Sequence, residues 1–206
     1  MIPSFEYARA KSLGDAVERL DAEPQAKPHS GGTDLIGCLR DEVFEAPKLV
    51  SLSGLDELRG FRTTSDGGLR IGAMTTITEI AEHPELREHY AALADAASLV
   101  ASPQLRNQGT VGGNLCQKPR CWYYRGGFDC LRKGGEICFA VDGENQYHCI
   151  FGGSGCYIVH PSDPAPALIA LDAMVRLVGP AGSRTIPVAE LHVPAETDPR
   201  RETVLE

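Results

Sequence analysis

Six of the seven cysteines in this 206-residue chain lie between Cys116 and Cys156; only Cys38 stands apart. The densest part, RCWYYRGGFDCLRKGGEIC at 120–138, is basic and studded with glycine. An odd number of cysteines fits a closed disulfide framework poorly. In a reducing compartment such clustering points to metal binding or catalysis. Between Cys121 and Cys156 no C-x₂₋₄-C pair occurs, which weighs against a structural zinc site with its paired knuckles. Spacing alone leaves an iron–sulfur cluster, zinc and plain thiols all open. Lys118, Arg120, Arg125, Arg132 and Lys133 lie around these cysteines, and cationic neighbours favour thiolates. A solvated basic loop, or a contact surface for an acidic partner, explains the same charges. Trp122, Tyr123 and Tyr124 are placed to shield a thiolate site or to fill an ordinary core.

The rest of the chain alternates between the two regular periods. FEYARA reads as an opening strand. Leu13, Ala16, Val17 and Leu20 give a helical stripe closed by Pro24, with Ser12 as its N-cap. AKPHSGGTDLIGCLRDEVFEAP reads as strand, glycine loop and helix, with Thr33 or Asp34 as the cap. KLVSLS and GLRIGAM are strand candidates. Thr75 or Thr76 caps a helical stretch interrupted at Pro84. CYIVH suggests a strand, PAPALIALDA a helix and MVRLVG a further strand. This pattern predicts a mixed α and β protein, with a small N-terminal lobe over 1–54 and a larger one over 55–206.

Composition narrows the function classes. Apolar residues make up 42% and charged residues 23%, a globular balance. A formal net charge of −8 argues against nucleic acid or an anionic membrane as partner. No apolar run approaches the ~20 residues that span a bilayer. The N-terminus lacks the basic and apolar regions of a signal peptide, so a cytoplasmic location is expected.

PHSGGTDL places Gly31 and Gly32 where a strand meets a helix, an arrangement that brings backbone N–H groups close to a phosphate. LRNQGTVGGNL repeats the idea with Gly109, Gly112 and Gly113, flanked by Thr110 and Asn114. Its spacing is not the dinucleotide fingerprint G-x-G-x-x-G. Either loop alone is as well explained by a tight turn. Two such loops in one chain suit a dinucleotide gripped from both sides. HPSDPAPAL adds Ser162 and Asp163 ahead of an apolar helix, where a simple helix cap is the plain explanation.

SGGTDL, IGAMTTITEI, ASPQLRNQGTVGGNLCQ and HPSDPAPALIALDA, in that order, resemble the FAD-binding subunits of molybdenum hydroxylases, the xanthine dehydrogenase family. The resemblance implies an α+β, two-lobed FAD-binding domain of the vanillyl-alcohol-oxidase (PCMH) type, with the C-terminal third domain of the family missing. It places the FAD pyrophosphate on Pro28, His29, Ser30, Gly31, Gly32, Thr33 and Asp34. Thr110, Gly113 and Asn114 complete the site, and Asp163 bonds nearer the ribityl or ring end. The insertion over 118–156 resembles that of the subset including 4-hydroxybenzoyl-CoA reductase and periplasmic aldehyde oxidoreductase. That implies a [4Fe–4S] cluster on Cys121, Cys130, Cys138 and Cys156, with Cys149 the competing fourth ligand.

The implied role is an electron-transfer subunit of an oxidoreductase active only within a complex. Its partners are a molybdenum-cofactor large subunit and a [2Fe–2S] small subunit, assembled as a dimer of heterotrimers. No catalytic acid, base or nucleophile is expected in this chain, and a periplasmic location only by co-export with a partner. A stand-alone FAD oxidoreductase of the same superfold and a zinc-stabilised interaction module are the rival readings.

Overall fold

A computed structural model describes residues 2–153 and 155–192. The N-terminal part forms a three-stranded, all-parallel sheet in the order β1-β3-β2, from β1 (Glu6–Arg9), β2 (Lys27–His29) and β3 (Lys48–Ser51). The central strand β3 is buried at Leu49, Val50 and Ser51, as the middle of a covered parallel sheet must be. Helix α1 (Leu13–Asp21) links β1 to β2; the Ser12 hydroxyl accepts from the Asp15 amide, as its position predicted. Helix α2 (Leu35–Arg40) links β2 to β3.

Beyond it come a small hairpin of β4 (Phe61–Thr63) and β5 (Leu69–Ile71), then a helical layer. That layer contains α3 (Ile77–Glu82), α4 (Pro84–His89), α5 (Ala91–Leu99), α6 (Pro103–Gln108) and α7 (Val111–Leu115). Thr76 and Glu79 form a reciprocal capping box at α3. Pro84 starts α4 at its first turn, so the expected break falls there. A single turn, α8 (Trp122–Arg125), opens the cysteine segment. Helix α9 (Pro164–Ala170) packs on α5 and α7, and β6 (Met174–Gly179) pairs with β7 (Gly182–Pro187). The main core joins Ile77, Ile80, Leu86, Leu93, Ala97, Val111, Leu115, Leu177 and Leu191, so the helices and the last hairpin share one apolar interior.

Two local expectations fail, and one strand went unforeseen. CYIVH forms no ladder strand: it lies between the glycines at 152, 153 and 155 and Pro161, and its Tyr157 carbonyl accepts from the Cys149 amide of the preceding loop. Strand β7 had no clear sequence signal because its first four residues, GSRT, are polar and exposed. At α2 the Asp34 side chain makes no capping bond, because cations draw it elsewhere. The tail PAETDPRRETVLE lies outside the described residues. Among the described residues no helix is long and apolar enough to cross a membrane.

Candidate functional site

Strand β2 ends at His29, so the chain leaves the sheet edge through Ser30–Asp34 before entering α2. The second glycine loop meets it there. Gly109 and Thr110 sit against α3: the Gly109 carbonyl accepts from Ile77 N–H, the Val111 amide donates to Thr75, and the Gly112 amide donates to Ala73. These bonds fix the second loop on the helical layer while its other face touches the first.

Contact between the loops is intimate. A Cβ on Gly31 would overlap the Gln108 carbonyl, so only glycine lets the two backbones approach this closely. Gly32 adopts φ 72°, turning the chain into α2. The buried Thr110 hydroxyl donates to Ser30 Oγ at 3.1 Å and accepts from the Gly113 amide at 3.2 Å. A third segment closes the chain of bonds. Ser162 Oγ donates to Asn114 Oδ1 at 2.5 Å and accepts from the Ala165 amide at 3.1 Å, capping α9. Ser162, not the exposed Asp163, therefore caps this helix; Asp163 makes no capping bond.

Two features of this cradle suit an anionic dinucleotide. His29 Nδ1 is buried with no partner among the described residues, and burial lowers the pKa of its imidazole, favouring the neutral form. Asp34, the one carboxylate of the first loop, is neutralised. Its Oδ1 takes Arg120 Nη1 and Arg125 Nη2, each at 2.8 Å, and its Oδ2 takes the Lys118 amide at 2.7 Å. The loop thus presents glycine amides and hydroxyls, and its own carboxylate is paired.

The same contacts revise the reading of the basic residues. Arg120 and Arg125 serve Asp34, and Lys133 Nζ donates to the Gly126 carbonyl at 2.7 Å. Arg132 is the basic residue that lines the cavity of the thiols with Cys156, and it lies 6.0 Å from the Tyr124 ring.

The cysteine segment folds over the end of α2. Cys121 immediately precedes α8 as its N-terminal flanking residue. Cys130 pairs with Ile137 in an isolated parallel bridge, which brings Cys138 back beside it. Cys121, Cys130, Cys138 and Cys156 line one cavity together with His148. Burial raises the Cys121 thiol pKa, and the neighbouring Cys130 and Cys138 add to the rise; the amides of Tyr124 and Tyr123 oppose it. Burial likewise raises Cys156, with Cys138 adding to it and the Ile158 amide and Arg132 opposing. Among the described residues no three His, Cys, Asp or Glu side chains converge closely enough to hold a single metal ion.

The other three cysteines lie elsewhere. Cys149 Sγ points to the Gly152 carbonyl at 3.8 Å and does not line the cavity. Cys38 is fully buried beside Tyr124 and Cys130, its thiol pushed up to about 11 by burial and then by Asp34. Burial alone pushes Cys116 up to about 11. Tyr124 is buried and Tyr123 lines the cavity, while Trp122 lies at the surface across Tyr123, Tyr147 and His148.

Sequence reasoning missed Ser162 as the link between segments, and His148, whose imidazole Nε2 lies 3.2 Å from Cys121 Sγ. His148 carries no motif, and HPSDPAPAL does not reveal Asn114 as the partner of Ser162: these contacts cross 27 and 48 residues of chain.

The chain is 37% identical over 206 residues to the aldehyde oxidoreductase FAD-binding subunit PaoB of Escherichia coli, covering 98% of this chain and 64% of that one. That similarity therefore runs through the cysteine-bearing insertion. It is 30% identical over 187 residues to the carbon monoxide dehydrogenase medium chain of Hydrogenophaga pseudoflava, covering 90% of this chain and 50% of the relative. A solved carbon monoxide dehydrogenase from the same organism, lacking the Mo-pyranopterin moiety of its cofactor, superposes with a TM-score of 0.71 at 27% identity. That match covers 100% of this chain and 56% of the other. The chain thus spans between half and two thirds of the length of these relatives. Residues 3–206 match the family described as the FAD binding domain in molybdopterin dehydrogenase, and the chain belongs to that family.

Proposed function

We propose that this chain is the flavin-binding, electron-transfer part of a molybdenum-containing hydroxylase or dehydrogenase, and that its insertion carries a [4Fe–4S] cluster. The observation carrying the second half is that four cysteines, far apart in sequence, line one cavity. In such a cluster each thiolate binds a different iron, so the sulfurs encircle a volume rather than converge on one ion. That pattern fits the ring of thiols better than a single zinc, and it favours Cys156 over Cys149 as fourth ligand.

FAD would lie along Pro28–Asp34, with Thr110, Gly113, Asn114 and Asp163 completing its site. FAD and the cluster supply the one- and two-electron chemistry; the protein's task is to bind, orient and tune. Gly31, Gly32 and the Thr110–Ser30 pair hold the two loops at a fixed separation. His29 offers a neutral nitrogen, and Arg120 and Arg125 keep the Asp34 charge away from the phosphates. The aromatic side chains around Cys121 and Cys130 limit water near the thiolates, a main control on cluster potential. No proton donor or nucleophile of this chain is required.

The reading extends to the whole assembly. Residues 1–54 and 55–206 would be the two lobes of a PCMH-type domain. A molybdenum-cofactor subunit and a [2Fe–2S] subunit would complete the complex as a dimer of heterotrimers, in the cytoplasm or co-exported with a partner.

Iron, sulfide and zinc analysis of anaerobically purified protein, with an ultraviolet–visible spectrum, tests the cluster. About four irons and four sulfides per chain are expected. Cys130→Ser and Cys156→Ser should abolish them while flavin stays bound, and Cys149→Ser should change neither. Stoichiometric zinc, or four irons retained in Cys130→Ser, would refute the ligand assignment.

A further inference from the structure

His148 reaches the thiol cavity from the far side of the insertion. Its ring sits beside Trp122 and Tyr123, with centroids 6.4 Å from each. Its backbone is fixed by the bond from the His148 amide to the Asn145 carbonyl, and Asn145 Nδ2 donates to the Ala140 carbonyl. Trp122 Nε1 donates to the Glu144 carbonyl, tying the same turn down over α8. So held, imidazole Nε2 lies 3.2 Å from Cys121 Sγ, while Nδ1 is buried with no partner among the described residues.

We infer that His148 is a positioning residue of the iron–sulfur site, donating its Nε2–H to the Cys121 sulfur. This rests on the cluster reading above. A sulfur bound to iron carries no proton, so the imidazole must supply the one that bridges the two atoms. The neutral tautomer with hydrogen on Nε2 leaves Nδ1 a bare acceptor, which matches a buried nitrogen without a donor. Hydrogen bonds to cluster sulfurs stabilise the more negative, reduced state and so raise the reduction potential. Held by aromatic contacts and backbone bonds, the ring also orients Cys121, which like Cys138 is only half-buried.

The test uses the purified flavoprotein with its cluster assembled. The variants are His148→Phe, which keeps a ring without the donor, and His148→Gln, which keeps an N–H. Iron and sulfide are counted first, then the midpoint potential is read by redox titration followed by electron paramagnetic resonance. The iron–thiolate Raman stretch is compared in H₂O and D₂O. Support is a negative shift of the midpoint in His148→Phe with four irons kept, a smaller shift in His148→Gln, and a D₂O sensitivity lost only in the phenylalanine variant. An unchanged potential and Raman band in both variants would overturn the role of His148 and leave the cluster reading intact. Loss of iron from both variants would make His148 a ligand instead. Parent protein without iron and sulfide would remove the cluster reading itself, and this inference with it.

Discussion

Replacing Asp34 with asparagine tests the junction between the glycine loop and the cysteine segment. The carboxylate belongs to the loop, while Arg120, Arg125 and the Lys118 amide that converge on it all come from the insertion. The Arg125 and Asp34 side chains are 15% and 14% exposed, close to the regime where removing one partner of an ion pair costs about 3–5 kcal/mol. Two facts reduce that figure. Arg125 keeps bonds to the Pro119 carbonyl at 2.7 Å and the Lys118 carbonyl at 3.0 Å, so it is not stranded. Arg120 is 55% exposed, in the range where a pair contributes about 0–1 kcal/mol. Asparagine also retains an acceptor for the Lys118 amide. The expected loss is about 2–3 kcal/mol, and at roughly 2–4 °C per kcal/mol for a chain of this size the midpoint should fall by about 4–12 °C. Urea and thermal unfolding of Asp34→Asn, Arg125→Met and the double variant would measure it, with a coupling of about 2 kcal/mol between the two sites. Additive single effects, or an Asp34→Asn variant within about 0.5 kcal/mol of the parent, would refute the idea that this pair fastens the insertion to the loop.

Gly31→Ala should push the first loop off the Gln108 carbonyl and cut flavin affinity at least tenfold, about 1.4 kcal/mol, as read by flavin titration. Gly37→Ala, where an added Cβ meets nothing within 4 Å, should instead be neutral or stabilise α2 by up to about 1 kcal/mol. Equal flavin binding in both variants would remove the close-approach argument. His160 provides a pH dependence. Burial, then the facing His192 and Arg132, lower its pKa from 6.5 to about 4, against the Leu115 carbonyl and Asp34. The unfolded chain therefore binds more protons between these values, so stability is full above about pH 6.5 and is lost as pH falls towards 4. Urea midpoints of the parent and His160→Gln should diverge across this window; parallel profiles would contradict it.

The sequence by itself specified a good deal of this protein. Ser12, Thr76 and Pro84 act through neighbours within one helical turn, so their capping and breaking roles were legible, and so were the parallel strands around PHSGGTDL. The ordered motifs also carried the family. What tertiary structure decided concerns groups whose partners are distant in the chain. Asp34 reads locally as a cap or a ligand contact, yet two arginines about ninety residues away claim it, because charge-assisted bonds outweigh a single capping bond. Ser162 and Asp163 together read as a cap for α9; Ser162 takes the place because its hydroxyl can donate to Asn114 and accept from Ala165 at once. The family resemblance put Cys156 ahead of Cys149, but without a structural reason. The bond from the Cys149 amide to the Tyr157 carbonyl anchors the turn that sends one thiol to the Gly152 carbonyl and the other into the cavity. Which residues can cap, ligate or turn is a property of their chemistry; which of them do so is set by what the folded chain brings within 3 or 4 Å.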